Sequence, residues 1–358
     1  MIGTRPEAIK LAPVFHALSK RPAFDVECLV TSQHTDLLQP MLEFFDIEPI
    51  ADLQVMTAAQ KLEDVCARII TGTAEVLRAR KTELVIVQGD TTTAFAAALA
   101  AFYLKIPVAH VEAGLRSNDL SSPFPEEAHR RWVDLFARYL FPPTLETQAN
   151  LLAEGVPANR IFVTGNTGID ALLQTKKRLE IMGEPLPIEV PKGHQLMLVT
   201  AHRRESFGPP MERVFRAIRT LADARPNLTV LLPLHPNPQV RAMAGILADH
   251  PRIHLTEPLN YPQFVMSMAR ANLILTDSGG VQEEAPALGT PVLVTRDNTE
   301  RPEAVLCGAT ELVGTDETRI VSRAAALLDL GENNRIVRNV YGDGTASEQI
   351  AEVLSQAE

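Results

Sequence analysis

A strand, a turn and a helix are predicted in succession by the stretch Leu273-Ile274-Leu275-Thr276-Asp277-Ser278-Gly279-Gly280-Val281-Gln282-Glu283-Glu284-Ala285-Pro286. Its apolar run, 273–275, is short enough for a buried strand, and the polar residues and glycines that follow are typical of a turn that begins a helix. The first turn of a helix leaves backbone N–H groups without partners and favours negative charge, and glycines let a phosphate reach those groups. The stretch therefore predicts either a phosphate site or an ordinary capped helix, and alone it does not decide between them.

Two more side chains of this stretch fit a nucleotide. The Ser278 hydroxyl adds a donor beside Gly279 and Gly280, and Glu284 lies six residues further on, near the second helical turn. A carboxylate placed there can accept hydrogen bonds from two vicinal hydroxyls, as acidic residues do for ribose in other nucleotide-binding folds.

The same alternation of apolar runs, polar turns and helical segments extends along the chain. Helices are predicted at 94–104 and 126–139, among others, and a chain of 358 residues suggests two domains joined by the proline-bearing segment 183–192. The alternation is typical of parallel βαβ units, so we expect a doubly wound α/β fold. The predicted strands are 26–30, 84–87, 107–111, 196–199, 230–232, 253–255, 273–275 and 292–294.

The composition disfavours several classes of protein. The formal net charge of −10 argues against nonspecific nucleic-acid binding, and no segment has the ~20 apolar residues of a membrane-spanning helix. The cysteines Cys28, Cys66 and Cys307 are scattered, without disulfide or zinc spacing, which is typical of a cytoplasmic protein. No G-x-G-x-x-G or Walker A sequence occurs. We therefore expect no metal, no dinucleotide cofactor and no ATP chemistry.

Carboxylates follow two of the predicted strands. Asp90 comes after the second strand and Glu112 after the third. Because the carboxyl ends of parallel strands carry the ligand crevice, the pair favours chemistry over the commoner role of a helix cap. The proline-rich loop that follows can direct Glu126 to the same edge, although a solvated pair with Glu127 at a helix start is equally consistent.

Cations begin the first predicted helix. Thr4 suits its N-cap and Pro6 its first turn, and Arg5 and Lys10 lie on its first turns. Two cations there oppose the helix dipole unless an anion binds, so a phosphate site is favoured. Such a turn normally follows a strand, and only two residues precede it here, so we expect an apolar first strand that starts upstream of Gly3.

Two residues of the second half extend the candidate site. His202 follows the first strand of that half, although a histidine in a charged run is usually on the surface. Arg301 follows the last strand, and its guanidinium can donate two parallel hydrogen bonds to a diphosphate or a carboxylate. The alternative for Arg301 is a surface ion pair with Glu300 or Glu303.

Together these segments resemble the non-hydrolysing UDP-N-acetylglucosamine 2-epimerases. The resemblance covers nearly the whole chain, in order. It rests on Gly3-Thr4-Arg5-Pro6-Glu7-Ala8-Ile9-Lys10, Gly89-Asp90-Thr91-Thr92-Thr93, His110-Val111-Glu112-Ala113-Gly114-Leu115-Arg116, Pro125-Glu126-Glu127, Gly165-Asn166-Thr167, His202-Arg203-Arg204-Glu205-Ser206, Thr276 to Pro286, Glu300-Arg301-Pro302-Glu303 and Tyr341-Gly342-Asp343-Gly344.

The resemblance implies an α/β fold of the GT-B type, with two Rossmann-like doubly wound lobes and an active site in the cleft between them. The implied N-terminal lobe spans 1–168 and the UDP-binding lobe 169–342, and a C-terminal helix in 343–358 crosses back to the first lobe. The implied partner is a UDP-sugar substrate, with no cofactor, nucleic acid or membrane, and the implied assembly is a homodimer.

The family interconverts UDP-N-acetylglucosamine and UDP-N-acetylmannosamine and so supplies sugars for cell-surface polysaccharides. The resemblance implies elimination of UDP to 2-acetamidoglucal and re-addition after protonation on the other face. It assigns Asp90, Glu112 and Glu126 to proton transfer or sugar positioning. His202 is grouped with these catalytic residues and is assigned to the diphosphate end of the substrate. Glu284 is assigned to the ribose, and Leu259 and Phe264 to the uracil. The implied contacts to the diphosphate are otherwise Arg5, Lys10, Ser278, Gly279, Gly280 and Arg301.

Members of the family also have a regulatory UDP-N-acetylglucosamine site beside the catalytic one. In this chain Asp36 and Ala59 stand where regulated members have polar or basic residues, so regulation stays open. The residues that match its surroundings are Gln33, His34, Glu127, Arg203 and His235.

Four other activities stay open from the sequence. They are a GT-B glycosyltransferase, an epimerase for a modified UDP-N-acetylglucosamine derivative, a hydrolysing epimerase and a nucleotide-sugar sensor. A transferase needs an acceptor site and a sensor needs no proton-transfer groups, so three carboxylates favour the epimerase. The segment Gly3 to Lys10 is more similar to the non-hydrolysing branch.

Overall fold

The protein consists of two compact units in a computed structural model that describes residues 1–32, 35–56, 61–331 and 335–356. Unit 1 comprises Met1–Ala171 and Tyr341–Glu358, and unit 2 comprises Leu172–Val340. Every pairing between named strands is parallel. The expected α/β class with parallel sheets is therefore confirmed.

Unit 1 alternates helices and strands. Among the described residues its strands form a two-stranded sheet, β1-β2, and a three-stranded sheet, β3-β4-β5. In chain order the elements are α1 (Arg5–Ser19), β1 (Cys28–Val30), α2 (Thr35–Phe44), β2 (Pro49–Asp52), α3 (Leu62–Arg80), β3 (Val85–Gln88), α4 (Thr92–Tyr103), β4 (Val108–Val111), α5 (Glu126–Phe136), β5 (Tyr139–Phe141), α6 (Leu145–Ala153) and α7 (Thr167–Met182), the last of which runs on into unit 2.

The alanine run of α4 forms a close-packed core. Ala96, Ala97, Ala100 and Ala101 are fully buried, and α4 packs against α3 and α5. Small side chains let helix backbones approach closely, so this run serves packing. Gly89 and Asp90 lie in the turn between β3 and the start of α4.

The first residues of the chain pair with β1. Ile2 donates from its backbone N–H to Leu29 O at 3.0 Å and accepts from Thr31 N at 3.0 Å. Thr4 caps α1 and forms a capping box with Glu7, while Pro6 lies in the first turn, so the predicted helix start is confirmed.

Unit 2 contains one parallel sheet in the order β11-β10-β9-β6-β7-β8 among the described residues. The order reverses direction between β6 and β9, and ligands of open α/β sheets bind at such a switch point, outside the carboxyl ends of the strands. The elements are β6 (Gln195–Thr200), α8 (Pro209–Ala224), β7 (Leu228–Pro233), α9 (Pro238–Ala244), β8 (Ile253–Thr256), α10 (Tyr261–Arg270), β9 (Leu273–Thr276), α11 (Gly279–Glu284), β10 (Val292–Val294), α12 (Pro302–Leu306), β11 (Thr310–Leu312) and α13 (Glu317–Asp329).

The C-terminal helix α14 (Ala346–Ser355) belongs to unit 1, where it packs against α1. Ile350 and Leu354 are buried, and the Asp170 carboxylate accepts hydrogen bonds from Ser347 N at 2.7 Å and Ser347 Oγ at 2.6 Å. No helix in the described part of the chain is long and apolar enough to cross a membrane.

One predicted helix ends early. The sequence predicts a helix over 126–139, but α5 ends at Phe136, Ala137 is extended, and Tyr139–Phe141 is strand β5. Leu140 and Phe141 are fully buried, because β5 pairs with β4 in the sheet. Burial against a neighbouring strand therefore overrides the local helical pattern.

Candidate functional site

The carboxyl ends of β6 and β9 bring two polar segments together at the switch point of unit 2. Asp277 is buried, and its Oδ2 accepts hydrogen bonds from the backbone N–H groups of His202 at 2.7 Å and Arg203 at 2.8 Å. Its Oδ1 lies 2.9 Å from His202 Nδ1. Burial alone would raise the pKa of Asp277, but the hydrogen bond and charge of His202 and the backbone donors hold this pKa below its usual value. Asp277 thus fixes both the backbone and the ring of His202.

Two guanidinium groups converge beside Gly279, the first residue of α11. A Cβ placed on Gly279 would lie 3.8 Å from Arg203 Nη2 and 4.0 Å from Arg301 Nη2. Two cations and the start of a helix face one small space, so an anion would be stabilised there. Ser278 occupies the N-cap position of α11, but its side chain makes no capping hydrogen bond.

Arg301 has a mostly buried acidic partner. Its Nε forms an ion pair with Glu283, and its Nη1 donates to the backbone carbonyl of Glu300 at 3.0 Å. Glu283 is mostly buried, so this partner fixes the guanidinium beside α11. Arg301 therefore points its Nη2 at Gly279 from a supported position.

The other candidate residues of unit 2 lie on α11 and near the start of α10. Gly280 is exposed, and Glu284 is half-buried. Burial raises the pKa of the Tyr261 hydroxyl well above its usual value, and the negative charge of Glu284 adds to the shift. Leu259 and Phe264 are half-buried, before α10 and within it.

His235 stacks on His202. It is exposed, and its ring lies 5.9 Å from that of His202, centroid to centroid, with 23° between the ring planes. His235 and Arg203 are the two residues of the predicted regulatory group that the structure places at this switch point.

In unit 1, Asp90 and Glu112 follow the neighbouring parallel strands β3 and β4. Gly89 has φ +69° and Glu112 has φ +67°, a left-handed conformation that is costly for a residue with a side chain. Strained residues persist where the surroundings hold them, and they cluster at functional sites. The Glu112 carboxylate is thus held in an uncommon orientation at the sheet edge.

Glu112 has two partners. Its Oε1 lies 2.5 Å from Lys10 Nζ of α1, and its Oε2 accepts a hydrogen bond from the Gln88 side chain. Lys10, which the resemblance assigns to the diphosphate, is therefore paired with a candidate proton-transfer group. Arg5 is exposed at the first position of α1.

Asp90 contacts α5 through both its side chain and its backbone. Its carboxylate forms an ion pair with Arg130, and its backbone carbonyl accepts a hydrogen bond from His129 Nδ1 at 3.1 Å. Burial raises the pKa of Asp90, Arg130 opposes this shift, and the charges of Glu112 and Glu126 add to it. Glu126, half-buried at the first position of α5, is therefore close enough to Asp90 to act on its charge. The three predicted carboxylates come together in unit 1.

A buried pair lies beneath these turns. His110 donates from Nε2 to Gly89 O at 2.8 Å, and its Nδ1 lies 2.6 Å from Asp134 Oδ1. Asp134 Oδ2 lies 2.8 Å from Arg116 Nη2. The pair ties the residue before Asp90 to α5.

Glu127, predicted in the regulatory group, is fully buried. It accepts hydrogen bonds from Ser117 N at 2.9 Å, Asn118 N at 3.3 Å and Arg131 Nε at 2.9 Å. Burial would raise the pKa of Glu127, but the backbone donor of Ser117 and the charges of Arg131 and Arg130 lower it. These contacts give Glu127 a structural role whether or not it also meets a ligand.

The remaining regulatory residues are not described. Gln33, His34 and Ala59 lie outside the described residues, and so does the side chain of Asp36.

Sequence reasoning missed several supporting residues. Arg130 contacts the Asp90 carboxylate, Gln88 contacts the Glu112 carboxylate, and His129 contacts the Asp90 backbone carbonyl. These contacts join elements that are distant in sequence, so no local pattern indicates them. Glu7 had a signal, because it stands three residues after Thr4 in a capping-box pattern. Its buried carboxylate also accepts a hydrogen bond from Thr91 Oγ1 at 2.6 Å, which joins the start of α1 to the turn after Asp90.

Comparisons with known proteins match one family along most of the chain. The family model described as UDP-N-acetylglucosamine 2-epimerase matches residues 16–355. The UDP-N-acetylglucosamine 2-epimerase of Salmonella typhimurium is 46% identical over 365 residues, which cover 99% of this chain and 97% of the relative.

Solved structures give the same result. The chain is similar to UDP-GlcNAc 2-epimerase from Neisseria meningitidis bound to UDP-GlcNAc, with 42% identity, a TM-score of 0.87 and coverage of 99% and 98% of the two chains. A putative UDP-N-acetylglucosamine 2-epimerase from Listeria monocytogenes has 43% identity and a TM-score of 0.90, with coverage of 99% and 94%.

A more distant structure shows the fold alone. Acinetobacter baumannii MurG has 14% identity and a TM-score of 0.59, with coverage of 99% of this chain and 98% of MurG. The fold class that the resemblance implies, α/β of the GT-B type, is confirmed by these structures. The family match over most of the length and the 46% identical relative establish the family. The chain belongs to the UDP-N-acetylglucosamine 2-epimerase family.

Proposed function

We propose that the protein interconverts UDP-N-acetylglucosamine and UDP-N-acetylmannosamine without hydrolysing the nucleotide sugar. The observation that carries the proposal is a group of three carboxylates in unit 1. Asp90 and Glu112 follow adjacent parallel strands, and the charges of Glu112 and Glu126 both act on Asp90. Inversion at C2 needs a group that removes a proton and a group that returns one. Carboxylates can do both, and burial raises the pKa of Asp90, which suits that group to proton transfer.

The chemistry also needs cations. The C2 proton is not next to a carbonyl, so it becomes acidic only as positive charge builds at C1 while the diphosphate leaves. In the proposed step the C1–O bond breaks, its electron pair goes to UDP, and a carboxylate takes the C2 proton, giving 2-acetamidoglucal. Arg203 and Arg301, which converge beside Gly279, would stabilise the negative charge of the departing diphosphate. Re-addition of UDP after protonation on the opposite face gives the other epimer.

Other assignments are part of the same proposal. Glu284 binds the ribose, Leu259 and Phe264 flank the uracil, and Ser278 and Gly280 join the diphosphate site. His202, held by Asp277, acts at the same end of the substrate. Arg5 supplies a further cation, and the paired Lys10 orients Glu112. We further propose a homodimer in the cytoplasm that supplies N-acetylmannosamine units for polysaccharides and needs no cofactor.

Exchange of the C2 proton tests the proposal. The protein is incubated with UDP-N-acetylglucosamine in deuterated water and followed by proton NMR. We expect deuterium at C2 and accumulation of the manno epimer with UDP still attached. Asp90→Asn serves as the control, with turnover reduced ~100-fold or more and UDP affinity retained in calorimetry.

Other outcomes point to other activities. Release of free sugar would indicate a hydrolysing enzyme. An unexchanged C2 proton in well-folded protein would contradict proton abstraction and leave transfer or binding as the activity. A panel of UDP-sugars would then show whether a modified derivative is the substrate.

A further inference from the structure

Arg130 joins two acidic side chains of unit 1. Its Nη2 forms the ion pair with Asp90 Oδ2, and its Nη1 lies 3.5 Å from Glu127 Oε2. The Arg130 side chain is 14% exposed and that of Asp90 is 26% exposed. The pair is therefore largely screened from water, and a charge contact at such a site is stronger than one on the surface.

Glu127 gives Arg130 a fixed support. Its two oxygens are already held by the backbone N–H groups of Ser117 and Asn118 and by Arg131. A carboxylate with these partners and no exposure has little freedom to rotate. Arg130 is thus held at Nη1 by Glu127 and contacts Asp90 with Nη2. These two contacts fix the direction of the Asp90 carboxylate.

The other charges around Asp90 are mostly negative. Glu126 on α5 and Glu112 after β4 both disfavour the ionised form of Asp90. Lys10 is paired with Glu112, and His129 donates to the Asp90 backbone carbonyl, while burial lowers the pKa of the His129 ring. Arg130 contacts the Asp90 carboxylate directly and brings a positive charge that favours its ionised form.

We propose that Arg130 is a positioning residue that orients the Asp90 carboxylate and favours its ionised form, an inference that rests on the proposed function. Arg130 acts through Asp90 and not on the substrate. The same geometry assigns Glu127 as the support of Arg130, which links the 117–118 backbone to the candidate proton-transfer group.

The direction of the pH effect follows from the charges. Burial raises the pKa of Asp90, and Arg130 opposes that shift. Loss of Arg130 therefore lets the pKa rise further. The limb of the rate profile that Asp90 controls then moves to higher pH, whether Asp90 acts as the base or as the acid.

Three variants separate this role from a general loss of charge. We expect Arg130→Gln to lower kcat about 10-fold to 100-fold with little change in KM, and to move one limb of the pH profile to higher pH. Arg130→Lys restores the charge without the two-armed geometry, so the limb should return towards its original position while kcat stays reduced. Arg80→Gln is the control, because Arg80 of α3 pairs with Glu27 and takes no part in holding Arg130 or Glu127, so no shift of the limb is expected.

An activity-independent measurement completes the test. The titration of the Asp90 carboxyl carbon is followed by ¹³C NMR and assigned by its loss in Asp90→Asn. This titration should move to higher pH in Arg130→Gln and not in Arg80→Gln. An unmoved titration together with an unmoved rate profile would overturn the inference. If the unmodified protein fails to exchange the C2 proton, the proposed function fails instead, and the NMR titration still decides whether Arg130 controls Asp90. Melting temperatures show whether each variant is folded.

Discussion

At the scale of single residues, the Arg301 side chain makes one structural contact and directs a second nitrogen towards Gly279. Its Nε pairs with the mostly buried Glu283, while its Nη2 lies beside Gly279, close to that of Arg203. The first contact fixes the second, because a planar guanidinium held at Nε has few remaining orientations. The phosphate-binding role that the sequence assigns to Arg301 stays a prediction, but the geometry that it needs is present.

Replacing Arg301 with Gln should weaken UDP binding by ~1.5–3 kcal/mol, because the diphosphate loses a charge-assisted hydrogen bond. Calorimetry with UDP measures the loss. Arg301→Lys should recover little of it, since an ammonium cannot hold Glu283 and the phosphate in the same plane. Arg323→Gln is the matched control. Arg323 of α13 pairs with Glu311 of β11, and its loss should not alter UDP affinity. Equal UDP affinity in the Arg301 variants and the control would remove Arg301 from the site.

Some residues could be predicted from the sequence, and others could not. The glycine pair, Arg301 and the two strand-end carboxylates carry local signals of turn chemistry and charge. The convergence of Arg203 with Arg301 depends on β6 lying next to β9, which follows from sheet order and not from a local pattern. For the same reason the sequence gives no hint that Arg130 contacts Asp90, 40 residues away along the chain.

At the scale of elements, short apolar runs predicted eight of the described strands, because parallel strands are commonly buried on both faces. Strands β2, β5 and β11 were not predicted. The predicted strand at 292–294 agrees with β10, and that at 273–275 lies within β9. The helix predicted to end at residue 139 was wrong at its end, because Tyr139–Phe141 gains more from pairing with β4 than from continuing α5. Local propensity cannot register such a tertiary gain.

The turn between β9 and α11 leads to a prediction about Gly279. An added methyl group would make ordinary contacts, 3.8 Å from Arg203 and 4.0 Å from Arg301, so Gly279→Ala should fold normally. It should even be stabilised by up to ~1 kcal/mol, since alanine loses less backbone entropy. The methyl group would fill the space between the two guanidinium groups, so UDP affinity should fall by at least ~1.5 kcal/mol, the contribution of one charge-assisted hydrogen bond.

Gly245→Ala is the control for this change. Gly245 follows α9 in the same unit, and an added Cβ there meets no atom within 4 Å in the described structure. The free energy of unfolding of Gly245→Ala should rise by a similar amount to that of Gly279→Ala, while its UDP affinity should not change. Denaturant unfolding and calorimetry give the two quantities. Unchanged UDP affinity in Gly279→Ala would show that no anion binds between Arg203 and Arg301.

At the scale of the whole molecule, the last helix completes the first unit. The segment 341–358 belongs to unit 1, although it follows all of unit 2 in sequence. Tyr341 O accepts a hydrogen bond from Asn166 N at 2.7 Å, and Arg21 of the loop after α1 donates to Glu352 at 3.2 Å. The family resemblance implied this return of the chain. Composition and periodicity predict only that a helix is present near the end.

Ile350 should therefore stabilise unit 1 from the far end of the chain. It is fully buried in α14, so Ile350→Ala should lower the free energy of unfolding by ~2–5 kcal/mol through lost burial and the cavity left behind. The single tryptophan, Trp132, lies on α5 in unit 1, so its fluorescence reports the unfolding of that unit in denaturant. Leu145→Ala is the control, because Leu145 is 74% exposed at the start of α6, in the same unit, and its loss should cost less than ~0.5 kcal/mol. If Ile350→Ala and Leu145→Ala unfold at the same denaturant concentration as the unmodified protein, α14 contributes nothing to the stability of unit 1. A denaturant midpoint lowered in Ile350→Ala alone would show that the buried apolar face of α14 stabilises unit 1. The polar contacts of Arg21 and Asp170 would then add to that apolar packing.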